Sequence, residues 1–277
     1  MTRMFPRRAK GRINLMIGGG IVLLLALLAI FGPALAPHDP LKLNLRGVLK
    51  GPSGAYPLGA DEFGRDVMSR LIYGARNTGW IALATVSFAV FFGLLFGVIA
   101  GFLRGWSDRL IMIVNDSLLA FPGLLLALGI MAVAGASREA IILALGLAYS
   151  PAVVRVARAS VLSIREREYI EASRVMGNSE LITMLRHVLP NCVAPITVLA
   201  TTMFGWVILS ESALSFLGLG VPPPEPSWGN MLSTARPFIT QTPSLIILPG
   251  LCISVTLLGI NMLGDALRDW LDPKMQS

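Results

Sequence analysis

The chain has 277 residues, of which 54% are hydrophobic and 14% charged, whereas soluble domains carry roughly 25% charged residues. This deficit argues against a soluble enzyme, and the apolar content is too high for a disordered chain. The formal net charge of +7 does not indicate nucleic-acid binding, because the basic residues separate apolar runs instead of clustering on a polar face.

Six apolar stretches are long enough to cross a membrane. A helix needs about 20 apolar residues to span roughly 30 Å of hydrocarbon while satisfying its own backbone hydrogen bonds. The stretches that meet this length are 13–36, 80–102, 110–134, 140–164, 192–209 and 245–267. The sequence therefore predicts an all-α membrane protein with six transmembrane helices.

Basic residues predict the orientation of these spans, because Lys-rich and Arg-rich loops stay on the cytoplasmic side. Residues 1–12 are basic and contain no acid, so the amino terminus is predicted to be cytoplasmic. Six crossings then place the 104–109 turn, the 165–190 segment and the carboxyl terminus on the same side. The basic residues Lys42, Arg46 and Lys50 in the first external loop run against this rule.

The first apolar stretch has a second interpretation. A basic start, an apolar core and the small residues of 34–36 are also typical of a cleaved secretory signal. The stretch is longer than the usual signal core of about 7–15 residues, and Pro37 follows the possible cleavage point. Both features favour a retained transmembrane helix.

The loop between the first two spans, residues 37–76, begins with Pro and Gly and then becomes helical in pattern. Asp61 can cap a helix on which Phe63, Val67 and Leu71 recur at helical spacing, with polar residues such as Arg65 opposite. We expect an amphipathic helix that lies on the membrane surface or against the bundle.

Charged residues inside the third and fourth spans are candidates for function or for contact with water. Asp116 lies early in the third span and is a candidate pathway or gating residue, because ionisable groups within membrane segments are costly. The alternative is contact with water or pairing with an arginine, because Asp116 lies close to the predicted cytoplasmic end of the span. Arg155 and Arg158 lie in the second half of the fourth span. We expect that helix to leave the bilayer early and to continue into water.

Residues 165–190 are too highly charged to span a membrane and predict two short helices. Glu171, Ala172 and Ser173 belong to the first helix, which Gly177 should end, because glycine readily adopts the left-handed conformation. Ser179 can cap the second helix, which leads to the fifth span. A helix–turn–helix held between two spans could act as a lever.

A polar residue and a proline-rich loop follow the fifth span. Glu211 closes that span on the predicted external side and is a second candidate pathway or gating residue. The prolines of 222–226 stiffen the loop that follows and could shape an entrance or a docking surface.

These elements predict three regions. Residues 1–77 comprise the cytoplasmic amino terminus, the first span and the external loop with its amphipathic helix. Residues 78–270 form a five-helix core that includes the 165–190 loop, and residues 271–277 form a cytoplasmic tail.

The 165–190 segment resembles the cytoplasmic signature of permease subunits of ATP-binding cassette (ABC) importers. In that signature Glu-Ala-Ala is followed by a glycine and later by Leu-Pro. Here Glu171-Ala172-Ser173, Gly177 and Leu189-Pro190 stand at these positions, with Ser173 in place of the second alanine. Residues 58–66, 107–122 and 211–220 resemble the C-type permease of dipeptide and oligopeptide importers.

The resemblance extends over nearly the whole chain and implies a type I ABC importer permease fold. It implies a homologous second permease subunit, two cytoplasmic ATP-binding subunits and an extracytoplasmic solute-binding protein as partners. The expected function is passage of peptides through a bacterial inner membrane, with ATP and Mg on the partner ATPase subunits. Related permeases for nickel or glutathione are the alternative within the family.

The resemblance also assigns a coupling role to four residues. Glu171 would be a polar anchor for an ATPase subunit, Ala172 and Ser173 would allow close approach, and Gly177 would form the turn. An alternative is that Glu171 simply pairs with Arg167 or Arg174 on a solvated helix.

The sequence gives no sign of catalysis by this chain. None of its four lysines follows a glycine, so the phosphate-binding motif G-x-x-x-x-G-K-[ST] is missing. Neither a nucleophile–base cluster nor a metal-ligand spacing is present, and His38 and His187 fall on opposite sides of the predicted membrane. An ion-coupled secondary transporter is the alternative from another class, but it would require acids at the membrane centre and repeated halves.

Overall fold

The computed structural model describes residues 7–271, which are almost entirely helical. The helices in chain order are α1 (Arg7–Leu35), α2 (Val67–Leu103), α3 (Gly105–Leu119), α4 (Gly123–Ala134), α5 (Arg138–Arg165), α6 (Glu168–Val175), α7 (Glu180–Thr183), α8 (Leu189–Phe216), α9 (Trp228–Ala235) and α10 (Ser244–Leu271). Short 3₁₀ turns at Leu45–Gly47 and Arg236–Phe238 lie in the two long loops.

Five helices of the described chain are long and apolar enough to span a membrane, and a bent pair supplies a sixth crossing. The prediction of one continuous helix over 110–134 is wrong, because α3 and α4 meet at 89°. The break falls at Ala120–Pro122, where proline lacks the N–H that would continue the helix.

The bent pair nevertheless reaches from one end of the bundle to the other. At the start of α3, Asp108 accepts a hydrogen bond of 2.7 Å from Arg158 near the end of α5. Just beyond α4, Arg138 at the start of α5 donates to Asn77 of α2, 3.3 Å away. Since α5 runs between these two contacts, α3 and α4 together cross the bundle once.

The centre of the bundle is the tight pairing of α2 with α5. A Cβ atom built at Gly97 would lie 2.6 Å from the Cβ of Ala157, and Gly93 and Gly101 have equally close neighbours on α5. Glycine at every fourth position of α2 therefore lets the two backbones approach closely, as small residues commonly do between membrane helices.

Helix α1 packs on the outside of this core against α10. A Cβ atom built at Gly18 would lie 2.7 Å from the carbonyl oxygen of Gly259, so the two helices touch through their backbones. Gly11 lies close to Asp269, whereas Gly32 lies close to Ile72 at the start of α2. The chain ends of α1 and α10 therefore lie at the end of the bundle opposite to the start of α2.

The same arrangement places the 165–190 segment at the end that holds the two chain ends. Arg104, between α2 and α3, pairs with Glu166 at 3.4 Å. The long loops 36–66 and 217–243 lie at the opposite end, where Asn77 donates to the carbonyl oxygen of Pro226 at 2.7 Å. Residues 1–6 and 272–277, which hold parts of the two predicted tails, lie outside the described residues.

The predicted amphipathic helix is not a separate element. Helix α2 begins at Val67 and continues for 37 residues. The prediction that Asp61 caps this helix is wrong, because Asp66 is the N-cap and accepts a hydrogen bond from the N–H of Ser69 at 3.0 Å. The predicted polar face is also buried, since Arg65 and Arg70 point into the protein and form ion pairs there.

Candidate functional site

The first half of the 165–190 segment is a short helix that stops at a glycine turn. Helix α6 has Glu168 and Glu171 in its first turn, where negatively charged side chains interact favourably with the positive end of the helix dipole. Gly177 then takes a φ of +84°, a conformation that side chains with a Cβ rarely adopt. The Oγ of Ser179 caps the next helix by accepting from the N–H of Ile182 at 3.4 Å, as the sequence predicted.

Polar side chains on the inner side of this turn form hydrogen bonds with one another. Ser173 and Thr183 are buried, and their hydroxyl oxygens lie 3.2 Å apart. Asn178 donates to the Oγ of Ser173 at 3.1 Å. Ser173 is 1% exposed, and its hydroxyl contact joins α6 to α7.

The outer face of the segment is exposed and mixes acidic with apolar side chains. Glu171 and Ala172 are both exposed. Val175 and Met176 are 84% and 75% exposed, and Leu181 of α7 is 60% exposed. An apolar surface of this kind, bordered by charge, is typical of a protein contact.

Three spans hold the segment in place. Ile170 is completely buried in an apolar cluster with side chains from α2, α5 and α8, namely Val98, Phe102, Val161, Ile164, Val188 and Cys192. Arg165 also donates to the carbonyl oxygen of Phe102. A displacement of α6 would therefore act on three membrane helices.

The second predicted short helix is joined directly to the fifth span. Helix α7 continues through a π-helical turn, Met184–Val188, into α8. Pro190 lies in the first turn of α8, where its missing N–H costs no helical hydrogen bond. His187 in the π turn packs edge-on against Tyr169 of α6, with 6.3 Å between the ring centres.

The candidate residue Asp116 lies on the surface of the described chain. Its Oδ1 accepts a hydrogen bond of 2.8 Å from Arg155, and both side chains are more than half exposed. The neighbouring Asn115 is buried, and its Nδ2 finds no hydrogen-bond partner within residues 7–271. The sequence left pairing of Asp116 with an arginine open as an alternative to a pathway role, without indicating which arginine.

The candidate residue Glu211 is completely buried where α8, α9 and the loop between them meet. Its Oε1 accepts hydrogen bonds from Ser215 at 2.9 Å and from Ser227 at 2.8 Å. A Cβ atom built at Gly229 would lie 2.8 Å from its Oε2. In this conformation Glu211 ties the loop to α8 and does not line an exposed surface.

Two protein families match segments that together make up most of the chain. Residues 93–277 match the family described as the binding-protein-dependent transport system inner membrane component. Residues 4–52 match the N-terminal transmembrane domain of oligopeptide transport permease C. The chain belongs to this family of transport permeases. It is a multi-pass protein of the inner membrane, and its family consists of transport subunits and not of enzymes.

Relatives of this permease include proteins named for peptide transport. The dipeptide transport system permease protein DppC of Alkalihalophilus pseudofirmus is 42% identical over 273 residues, covering 99% of this chain and 90% of the relative. The di/tripeptide permease protein DppC of Pseudomonas aeruginosa is 43% identical, with 94% and 88% covered. A glutathione transport system permease protein, GsiD of Escherichia coli, is 41% identical, with 98% and 90% covered.

Solved structures share the fold of the permease. The inward-facing MetNI methionine ABC transporter matches with a TM-score of 0.61 at 18% identity and covers 73% of this chain and 96% of that chain. The amino acid ABC transporter solved with histidines matches with a TM-score of 0.57 at 17% identity, covering 73% and 94%. These similarities confirm the ABC importer permease fold.

Sequence analysis missed a buried ion cluster at the start of α2 in the permease. The Oδ2 of Asp61 lies 2.6 Å from Nε of Arg65 and 3.2 Å from Nε of Arg70, and all three side chains are buried. Acids and arginines alternate in residues 61–70, and this pattern predicts the polar face of an amphipathic helix on the membrane surface or against the bundle. The long-range contact that could have revealed burial, from Arg70 to the carbonyl oxygen of Pro40, is not visible in a sequence.

Glu62 lies at the edge of this cluster, where Arg65 donates to its Oε1 at 3.0 Å. Burial and the nearby Asp61 carboxylate raise the pKa of Glu62 above its usual value. Attraction by Arg65 and Arg70 opposes this shift without cancelling it. Glu62 contacts one arginine of the cluster, whereas Asp61 contacts two.

Proposed function

We propose that the chain is one of two homologous permease subunits of an ATP-driven importer for dipeptides or oligopeptides. An extracytoplasmic binding protein delivers the peptide, and each permease subunit supplies part of the pathway. The proposal is supported by the peptide-transport names of relatives that match the chain over most of its length. ATP and Mg would be held by separate subunits, in keeping with the missing phosphate-binding motif.

One observation supports the coupling mechanism: helix α6 of the 165–190 segment has an exposed face and a buried face. Glu171, Ala172 and Val175 face outward and are exposed, whereas Ile170 on the same helix is buried among three spans. We assign the outward face to contact with a cytoplasmic ATPase subunit. An open groove bounded by Arg165, Glu166, Arg167, Glu171 and Val175 gives that subunit a recess to enter.

Movement of the ATPase subunits would reach the membrane through Ile170. When the two ATPases close on nucleotide, they displace α6, and the buried contacts of Ile170 with Ile164 and Val188 carry that displacement to α5 and α8. Packed helices shift as units and do not deform continuously, so the bundle switches between outward and inward access. Gly177 keeps the angle between α6 and α7 and thereby the direction of the push.

Charge supports the side of the membrane on which this contact takes place. The end of the bundle that carries the 165–190 segment also carries Arg104, Arg109 and Arg268. Because basic residues are retained on the cytoplasmic side, this end would face the cytoplasm together with both chain ends.

Asp116 and Glu211 would serve the pathway in different ways. The exposed pair of Asp116 and Arg155 joins α3 to α5 near the break in the third crossing, where it would act as a gate facing the second permease. Buried Glu211 would hold the loop 217–227 in place at the opposite end.

The experiment compares two substitutions of Gly177 in the assembled complex. Valine is β-branched and strained at positive φ, whereas asparagine tolerates this conformation. We expect Gly177→Val to reduce substrate-stimulated ATP hydrolysis at least tenfold and Gly177→Asn to retain most of it, with equal assembly of both complexes. Wild-type stimulation in a correctly assembled Gly177→Val complex would contradict the lever.

Glutathione is a second candidate substrate because one group of relatives carries that name. Glutathione is itself a tripeptide, so the two possibilities differ in side chains and linkage and not in transport chemistry. Calorimetric titration of the cognate binding protein with dipeptides, longer peptides, glutathione and a nickel complex decides between them. We expect binding of unmodified peptides, and exclusive binding of glutathione or nickel would overturn the peptide assignment.

A further inference from the structure

The loop after α1 presents an exposed surface that transport by the bundle does not explain. Apolar and basic side chains alternate along residues 41–50, which we name the 41–50 patch. Its exposed members are Leu41, Lys42, Leu43, Leu45, Arg46, Val48 and Lys50. Leu43 is 60% exposed and Leu45 is 79% exposed, although both side chains are large and aliphatic.

The backbone beneath the patch is fixed by hydrogen bonds to the segment before α2. The N–H of Asn44 donates to Phe63 at 3.1 Å, and the N–H of Ala60 donates to Lys50 at 2.9 Å. Gly64 lies so close to Asn44 that a built Cβ would come within 1.8 Å of its carbonyl oxygen. The patch is therefore a preformed surface on which Leu43 and Leu45 stay exposed, whereas Leu49 packs against the core.

The charges of the patch are all positive. Residues 40–60 contain no acid, and none of Lys42, Arg46 and Lys50 has an ion-pair partner within the part of the chain that the structure describes. An anionic ligand outside the chain would complement these unpaired charges.

The position of the patch relative to α1 places it near the bilayer surface. Ile30, Phe31 and Leu35 at the end of α1 are exposed apolar side chains, as expected for a helix that faces lipid up to its last turn. The loop then stays close to this level, because Arg70 in the first turn of α2 donates to the carbonyl oxygen of Pro40. Leu41 follows directly.

We propose that the 41–50 patch binds anionic phospholipids at the membrane surface. Lys42, Arg46 and Lys50 contact lipid phosphate groups, while Leu43 and Leu45 enter the boundary between headgroups and acyl chains. This combination of basic and aliphatic side chains is the general chemistry of interfacial membrane binding. The proposal needs only that the chain spans a membrane and does not depend on its substrate or on its orientation.

The first test measures lipid preference with the full-length chain in nanodiscs. Spin-labelled phosphatidylglycerol and phosphatidylcholine are compared for the wild type and for the triple variant Lys42→Gln, Arg46→Gln, Lys50→Gln. Basic residues attract anionic lipid at a charged surface, and salt screens this attraction. We therefore expect the triple variant to lower the preference for phosphatidylglycerol at least fivefold, and we expect added salt to lower the preference of the wild type. Arg167→Gln, at the other end of the bundle, is the control and should leave it unchanged.

The second test measures depth and remains valid if the triple variant folds poorly. Spin labels attached at Leu43→Cys and Leu45→Cys should be more accessible to oxygen, which dissolves in lipid, than to a water-soluble nickel chelate. A label at Gly54→Cys should show the reverse, because Gly54 is exposed in the same loop but lies outside the patch. The proposal would be overturned if the labels at both leucines were more accessible to the nickel chelate than to oxygen. It would also be overturned, in favour of a protein-docking surface, if the labels became inaccessible to the chelate only when the binding protein was added.

Discussion

Asp61 neutralises two buried guanidinium groups at once, those of Arg65 and Arg70. It also fixes the loop itself, because its Oδ1 accepts hydrogen bonds from the N–H groups of Phe63 and Arg65, each at 2.9 Å. Removing one partner of a buried ion pair leaves an unpaired charge in the protein interior, and this is more costly than the pair is favourable.

We expect Asp61→Asn to destabilise the end of the bundle that holds this cluster by about 3–5 kcal/mol, because Arg70 loses its ion-pair partner and Arg65 keeps only Glu62. The measurement is the thermal unfolding midpoint of the purified full-length chain in detergent. Glu62→Gln is the matched control and should have a smaller effect, because Glu62 pairs with Arg65 alone and Arg65 keeps Asp61. Equal midpoints for the wild type and Asp61→Asn would contradict the role of the cluster.

At the residue scale, the sequence predicted capping and turns better than burial. The cap at Ser179 and the turn at Gly177 follow from local backbone chemistry and are confirmed. The inward direction of Ser173 depends on Thr183, ten residues further along, and the burial of Arg70 depends on Pro40. Contacts between segments distant in sequence leave little trace in residue spacing, so these features required the structure.

The pairing of α2 with α5 depends on the absence of side chains at three positions of α2. A Cβ atom at Gly97 would come within 2.7 Å of the carbonyl oxygen of Val154 as well as touching Ala157. Gly79, on the same helix, has no atom within 4 Å of a built Cβ. The two glycines therefore allow a controlled comparison within one element.

We expect Gly97→Ala to lower stability and Gly79→Ala to leave it unchanged or raise it by about 0.5–1 kcal/mol, because alanine is the better helix former where space allows. At Gly97 the added methyl group must push α5 away, which costs on the order of 1–3 kcal/mol. Unfolding midpoints of the two variants in the same detergent provide the comparison. Equal shifts for both would mean that α2 and α5 are not tightly packed.

At the scale of elements, the length of each apolar stretch predicted that a span exists but did not predict the shape of its helix. The fifth and sixth spans appear within α8 and α10, both longer than predicted. The third crossing is bent by 89° at Pro122, a proline that the pattern of apolar residues does not distinguish from those inside α5 and α8. Pro151 and Pro195 lie within continuous helices. Whether a proline breaks a membrane helix depends on what packs around it.

At the scale of the whole molecule, the two ends of the helix bundle differ in how their segments are packed. One end is held together by the buried cluster around Asp61 and by Trp228, whose indole N–H donates to the carbonyl oxygen of Leu71 at 3.0 Å. At the other end, the 165–190 segment projects its exposed face away from the bundle while Ile170 remains inside it. The projecting end is the one that we propose contacts an ATPase subunit.

The central claim is that the outward face of α6 touches an ATPase subunit, and site-specific photo-crosslinking in membranes that contain the whole transporter tests it most directly. A photoreactive amino acid replaces Glu171 in one sample and Gly54, exposed at the opposite end, in the other. We predict that the probe at position 171 crosslinks to an ATP-binding subunit and that the probe at position 54 does not. Crosslinking of position 171 to the solute-binding protein, or to no subunit in a complex with active ATP hydrolysis, would contradict the account.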